Sequence, residues 1–480
     1  MNVRSKLKEE PGFQYVVDAV ETMSPVGQRM LMEQQWLCSA EAIEREHDNI
    51  DMALRLLPTR AFTTVRHQLM QLRDLSGTFR SLHSHVLLNE VELFEIKRFA
   101  QITLAAHKAL QESGEWRVES GEKATANNDL RSNSTLHSPL STLMEAFDLL
   151  DPDGTGMAHF YIYDSYDARL APLRKALKAS GGEDADLFAQ MQEVEKEVLA
   201  RLSDQLVPFA PMLTQALNQM GYLDLLLSKA VLANRWHLTR PTIHSSLSTL
   251  LSPLPTLHSL FNPRLKAHCE AQGLRYQPVD ISLREGVCLI TGANMAGKTV
   301  LLKTVGIAQM MLQFGLFVPA QEAEMTLVDD VLFCIGDEQN EMNGLSSFAS
   351  EIIKISDAVS RAEQQRLLIL IDEPARTTNP LEGKAIVQSL ATLLQGQHSL
   401  SLITTHYSQL GLDCRRLRVR GFVETLSDQP LTPQNINRFM DYSLLEDNSD
   451  DVPQEALRIA SILGCHPRLL DTARSFIESD

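Results

Sequence analysis

The stretch GVCLITGANMAGKTVLLKTVGIAQMMLQFG, Gly286 to Gly315, decides how this 480-residue chain is read. Val287 to Thr291 form a short apolar run with no polar face, as a buried parallel strand requires, and a glycine-bounded turn then opens into an amphipathic segment. Within this strand, loop and helix, Gly292, Gly297, Lys298 and Thr299 fit the pattern G-x-x-x-x-G-K-[ST]. Glycine lets the backbone approach phosphate closely, and loop N–H groups with a helix N-terminus surround the phosphate oxygens. Lysine neutralises charge on the β and γ phosphates, and the threonine hydroxyl holds Mg²⁺. A chance glycine turn after a core strand would leave the four fixed positions unexplained.

Three later segments have the same logic. LLILIDEP, from Leu367, is an apolar run ending in Asp372 and Glu373, and in a parallel α/β sheet that end faces the ligand. One acid there can hold Mg²⁺ through water, and the next can orient or deprotonate an attacking water. SLSLITTHY, from Ser399, is a further strand ending at His406 on the same side; alone, a strand-end histidine reads as a hydrogen-bonded structural residue. Between these lies GDEQNEMNGLSSFASE, where Gly344, Ser346 and Ser347 stand at a helix start and can cap it or bind phosphate, capping being the better reading in isolation.

The chain is 44% hydrophobic, enough for a large core divided into two or more domains. Its net charge of −17 disfavours a long-range pull toward nucleic acid or an anionic membrane, so any DNA contact must come from specific parts. The six cysteines show no C-x-x-C spacing and read as reduced thiols of a cytoplasmic protein. Neither a signal sequence nor an apolar run of about 18 residues is present, so no membrane association is expected.

The first half reads as helical. Helical spacing runs from Phe13 to about Leu57, with Ser24-Pro25 as a start signal, and again from about Arg60 to Ser113 at a length that predicts a rod. Residues 114–142 are rich in Ser, Asn, Gly and charge and read as a surface loop. DPDGTG, from Asp151, fails the calcium-loop pattern because Pro152 follows the first Asp and Ile162 stands where Glu is needed, which leaves a plain turn. FYIYDSYD, from Phe160, has the aromatic content of a short strand or, less commonly, of a docking patch. A long amphipathic pattern then runs from Glu183 to about Trp236.

With these segments in order, the chain resembles the MutS family of ATPases, whose nucleotide domains are of the ABC class. ITGANMAGKT is similar to the family's phosphate loop, GLSSFASE to its serine motif, LILIDEPARTTNPLEG to its acid-pair motif and TTHY to its histidine switch. MSPVGQRML resembles the start of the MutS core domain, ELFEIK a lever segment, and EALRIASILGCHPRLLDTARSFIE the C-terminal dimerisation helices. The resemblance implies a mainly α-helical core and lever domain over 1–241, an α/β P-loop ATPase domain over 242–445 and a helical dimerisation motif over 446–480. It implies an ATP site formed by Gly292, Ala293, Asn294, Met295, Ala296, Gly297, Lys298 and Thr299, with Thr299 and Asp372 on Mg²⁺, Glu373 activating water and His406 sensing the γ-phosphate. Ser346 and Ser347 would complete the partner's site across a homodimer, which overrides the capping reading.

Departures from the family pattern bear on the target. The chain begins at the core domain, so mismatch-reading and connector domains are expected to be absent, and no nuclease-like domain is expected after the last helices. Residues 114–142 are too short for the usual DNA clamp, Ala375 and Thr377 replace glycines, and Leu345 stands where a polar or basic residue is usual. The resulting expectation is a dimeric, ATP-hydrolysing protein acting on DNA in repair or recombination. The alternative, from a fainter resemblance of LLDPDGTGMAHFYIYDSYD, is an ATP-driven factor that reactivates an enzyme partner such as a cobalamin-dependent aminomutase.

Overall fold

The computed structural model describes residues 1–114, 140–156, 161–244, 254–293, 296–335, 347–423, 439–449, 456–462 and 464–477. They fall into two compact units. One comprises Val20–Gln34 and Asp48–Leu232; the other comprises Met1–Ala19, Gln35–His47 and Ala233–Asp480.

The first unit is helical. Ser24 caps the helix Pro25–Glu33 by accepting from the Gly27 N–H, and the buried Asp224 carboxylate accepts from the Ser24 N–H at 2.7 Å and the Ser24 hydroxyl at 2.5 Å. Burial pushes the Asp224 carboxyl above its ordinary range despite these bonds. The block expected to be a rod is instead three helices, Arg60–Leu69, Ser76–His83 and Glu90–Ser113; the first packs back along the last, which is started by a capping box in which Asn89 and Glu92 satisfy each other's backbone N–H. The long pattern after Glu183 becomes two helices, Ala185–Leu206 and Ala210–Trp236, parted by a 3₁₀ turn at Val207–Phe209, where Pro208 cannot supply a backbone donor.

FYIYDSYD is not a strand. Phe160 lies outside the described residues, 161–163 are irregular, and Asp164–Tyr166 form a 3₁₀ turn. Side chains, not a neighbouring strand, hold this segment. The Tyr163 hydroxyl donates to Asp151 at 2.6 Å and accepts from Lys97 at 3.2 Å, while Arg174 donates to the Tyr161 hydroxyl at 2.7 Å. DPDGTG is a turn, but one whose Asp151 side chain is buried in this network. Most of the predicted loop 114–142, and residues 245–253, lie outside the described residues.

The second unit carries ten strands among its described residues: β1 (Thr242–His244), β2 (Thr256–Leu260), β3 (Val279–Ser282), β4 (Gly286–Thr291), β5 (Glu322–Thr326), β6 (Asp330–Cys334), β7 (Leu367–Ile371), β8 (Leu400–Thr404), β9 (Arg415–Phe422) and β10 (Met440–Glu446). A four-stranded sheet has the order β1-β5-β2-β3, and a six-stranded sheet has the order β10-β9-β4-β8-β7-β6. The larger sheet is parallel from β9 through β6, with β10 antiparallel at one edge. Strands β4, β7 and β8 are buried at every residue, as their unbroken apolar runs require.

One core cluster joins this sheet to the helices Ser347–Ala362 and Pro380–Gln395 through Ile369, Ile371, Ile355, Ala358, Val387 and Leu390. The helix Lys298–Gln313 also lies close to the sheet: a Cβ at Gly306 would stand 2.4 Å from the Phe333 ring and 2.7 Å from Leu370. Its far end is clasped by the beginning of the chain. Leu37 N–H donates to the Gln313 carbonyl at 2.8 Å, Trp36 Nε1 donates to Val328 O at 3.2 Å, and Phe13 stacks on Phe314 at 5.7 Å. The fully buried Lys6 donates to Val331 O at 3.0 Å and pairs with Asp330, which also pairs with Arg361 at 2.7 Å. The sequence reading, which divided the chain at 241 and 242, held no sign of this packing.

The cysteines are free. Burial pushes the Cys288 and Cys334 thiols up to about 12, which leaves them without thiolate character at neutral pH. No described helix is long and apolar enough to cross a membrane.

Candidate functional site

The site lies where β4, β7 and β8 end side by side. Register pairs Ile290 with Thr404 and Ile371 with Ile403, so the residues that follow each strand come out along one edge. After β4 the chain passes through Gly292, with φ 149°, and reaches Gly297, with φ 77°, before the helix begins at Lys298. At Gly297 the left-handed backbone and the Tyr442 ring, 3.2 Å from where a Cβ would stand, both exclude a larger residue.

Lys298 is buried, and its ammonium folds back over the loop. It donates to Gly292 O at 2.8 Å and Ala293 O at 3.3 Å and stands 3.3 Å from Glu373. Its neighbour Thr299 is exposed and donates to Asp372 Oδ2 at 2.6 Å. The other Asp372 oxygen accepts from the Thr404 hydroxyl at 2.6 Å, and that hydroxyl in turn accepts from the Glu373 N–H at 2.8 Å. Thr404 thus fixes both members of the acid pair. Glu373 and Ala375 have left-handed backbone, φ 44° and 60°, a conformation that costs non-glycine residues energy and persists where neighbours over-determine it. Two such neighbours hold Ala375: its N–H donates to Glu351 at 3.1 Å, and its carbonyl accepts from the Tyr407 hydroxyl at 3.1 Å.

His406 is exposed, its ring beside that of Tyr407 at 4.2 Å. Loss of solvent around the ring lowers its pKa from the ordinary histidine value, more than the nearby Glu373 charge raises it, so the imidazole is neutral at physiological pH. Glu351 is pushed up by burial.

The structure thus brings together Gly292, Ala293, Ala296, Gly297, Lys298, Thr299, Asp372, Glu373 and His406. Asn294, Met295 and Ser346 lie outside the described residues, and Ser347 opens the helix Ser347–Ala362. Sequence reasoning missed Thr404, Glu351 and Tyr407. Thr404 and Tyr407 stood inside the TTHY segment, but only strand register shows which threonine meets Asp372.

An oxygen pair made of an alcohol and a carboxylate, one of them exposed, fits Mg²⁺, which takes one or two protein oxygens and fills its octahedron with water and phosphate. Among the described residues no group of three or more His, Cys, Asp or Glu offers an all-protein metal cage.

Fold and site together define an α/β domain in which a glycine-rich turn and two carboxylates meet at the carboxyl edge of a largely parallel sheet. Residues 288–441 match the family model of MutS domain V, so this part of the chain is similar to MutS-family proteins. Proteins named Endonuclease MutS2 are similar to it. That of Agathobacter rectalis is 33% identical over 228 residues, 47% of this chain and 27% of the relative. That of Bacillus cytotoxicus is 30% identical over 297 residues, 61% and 35% of the two chains. That of Carboxydothermus hydrogenoformans is 29% identical over 307 residues, 63% and 36%. The matched part is thus only about a quarter to a third of the length of these curated relatives.

Proposed function

We propose that the protein is a Mg²⁺-dependent ATPase, active as a homodimer, whose ATP cycle acts on DNA. The observation that carries this reading is the convergence of Lys298 and Thr299 after β4 with Asp372 and Glu373 after β7, joined by Thr404 at the end of β8 between them. Lys298 would exchange its two carbonyl partners for phosphate oxygens, with the loop 292–297 and the helix N-terminus supplying N–H donors. Thr299 and Asp372 would hold Mg²⁺, which when bound neutralises charge on the phosphates. Glu373, held in place through its N–H, would orient the attacking water and accept its proton, and neutral His406 would donate or accept at the γ-phosphate.

The second copy would contribute Ser346 and Ser347. Support for a dimer comes from exposed apolar side chains: Leu381 and Ile353 are 81% and 58% exposed on the two helices flanking the acid pair, and Leu469 is 63% exposed on the last helix. We assign residues 1–241 to a core and lever, 242–445 to the ATPase and 446–480 to dimerisation, as the family resemblance implies. The DNA reading draws on the MutS resemblance and on the relatives' being named endonucleases. Phosphate release and mass in solution test the proposal: ATP should drive self-association, and Glu373→Gln should retain nucleotide while turnover falls about 100-fold or more. A monomer under saturating Mg²⁺-ATP, or undiminished turnover in Glu373→Gln, would contradict it.

A further inference from the structure

One segment of the helical unit runs against the charge of the chain. Between Met52 and Asn89 the sequence holds five arginines, Arg55, Arg60, Arg66, Arg73 and Arg80, three histidines and a single acid, Asp74, in a protein of net charge −17. Asp74 is already engaged by Arg29 at 3.2 Å, and Arg73 by Glu95 at 2.7 Å. Arg55, Arg60, Arg66 and Arg80 are exposed, and their guanidinium groups make no ion pair with a described residue. The helices that carry them are fixed: Val65 and Leu69 of Arg60–Leu69 are buried, that helix packs along Glu90–Ser113, and Phe79 of Ser76–His83 meets Phe99 edge to face at 5.6 Å.

Helix electrostatics accounts for part of this pattern only. Arg66 with His67, and Arg80 with His83, lie in last turns, where a cation complements the helix dipole. Arg60 is the first residue of its helix, after the Thr59 cap, where the dipole repels it, and Arg55 has no carboxylate partner despite the acid-rich chain. Exposed Thr63 adds a hydroxyl donor between Arg60 and Arg66, while the Thr64 hydroxyl donates to the Arg60 carbonyl at 3.3 Å.

We propose that the exposed arginines of this segment, Arg60, Arg66 and Arg80, contact the phosphate backbone of nucleic acid. Guanidinium forks take phosphate oxygens in pairs, and unpaired cations with flanking hydroxyls are what backbone contacts are made of. An acidic chain repels DNA at long range, so its binding must rest on such local cations and fall steeply with salt. This inference rests on the DNA reading above and locates the contact within it.

The test uses the full chain, a short labelled duplex and, as a rival polyanion, poly-glutamate, with a triple variant Arg60→Ala, Arg66→Ala, Arg80→Ala and its Lys-substituted counterpart. Wild type should bind the duplex at low salt, and the Ala variant should bind more weakly, with a salt slope shallower by about 1 per arginine removed. The Lys variant should keep most of the slope, and ATP turnover without DNA should be unchanged in both. Duplex binding by the Ala variant with the wild-type slope would overturn the assignment and leave the DNA reading standing. No duplex binding by wild type even at low salt would sink both. Arginine-dependent capture of poly-glutamate but not duplex would overturn the assignment in favour of an acidic protein.

Discussion

Lys298 and Lys97 are both buried lysines facing a carboxylate, one in each compact unit, and they are held in opposite ways. Lys97 and Asp151 are each 1% exposed and 3.0 Å apart. Both oxygens of Asp151 are engaged: the Tyr163 and Thr155 hydroxyls donate to Oδ1 beside Lys97, and the Gly156 N–H donates to Oδ2. Burial alone would raise the Asp151 pKa, but the hydrogen bonds from Tyr163, Gly156, Lys97 and Thr155 together hold its carboxyl well below the usual carboxylate range. Lys298 leans on two loop carbonyls and a longer contact to Glu373, which is itself shared at 3.5 Å with the exposed Arg376. A closed set of partners fixes a fold. A set that a stronger anion can displace leaves room for a ligand.

The comparison predicts a separation of effects. Lys298→Met should lower ATP turnover by at least about 100-fold through lost charge stabilisation, while the unfolding free energy changes by less than about 1 kcal/mol because Glu373 keeps solvent and Arg376. Lys97→Met should do the reverse. Leaving Asp151 buried and uncompensated should cost about 3–5 kcal/mol, read as a shift in the urea midpoint, with turnover per folded molecule intact. A large stability loss in Lys298→Met, or a large turnover loss in Lys97→Met, would erase the distinction.

Acid sharpens it. Because the folded Asp151 pKa is depressed, its contribution to stability is full above the unfolded value of about 3.9 and is lost as pH falls through the folded value. Urea midpoints measured downward from pH 5 should fall below about pH 4 in the wild type, and Asp151→Asn should remove part of that slope. His406 titrates below the ordinary histidine value, so the acid limb of the turnover profile should lie below about pH 6.5 if this ring must be neutral.

The two regions were also unequally legible in sequence. The strand, glycine turn and helix around Lys298, and the apolar runs ending at Asp372 and near His406, are local signals, and they came out as strands, turn and helix in the expected order. The Lys97 node joins residues 97, 151, 155 and 163 through side chains on a helix, a turn and an irregular stretch, and nothing local announces such a meeting. Aromatic content made 160–167 look like a strand because β propensity reports a half-buried pleated surface, whereas here the rings pack on helices. The same limit hid the seating of Lys6, Trp36 and Leu37 against Asp330, Val328 and Gln313. The arginine-rich segment was obscured differently, since a net charge averages away a local excess.

Thr404 stands between the two kinds of anchoring. It is buried, yet its hydroxyl serves the site by donating to Asp372 and accepting from the Glu373 N–H. Thr404→Val keeps the shape and the β-branched strand residue while removing both bonds, so the Glu373 N–H loses its partner at a cost of about 1–3 kcal/mol. Asp372 would retain Thr299 alone and rotate more freely, so the Mg²⁺ concentration for half-maximal turnover should rise, whereas Thr404→Ser should restore it. If Val lowers stability and leaves the Mg²⁺ requirement untouched, Thr404 belongs with Lys97 as a structural anchor, and Asp372 is oriented by Thr299 and its own backbone.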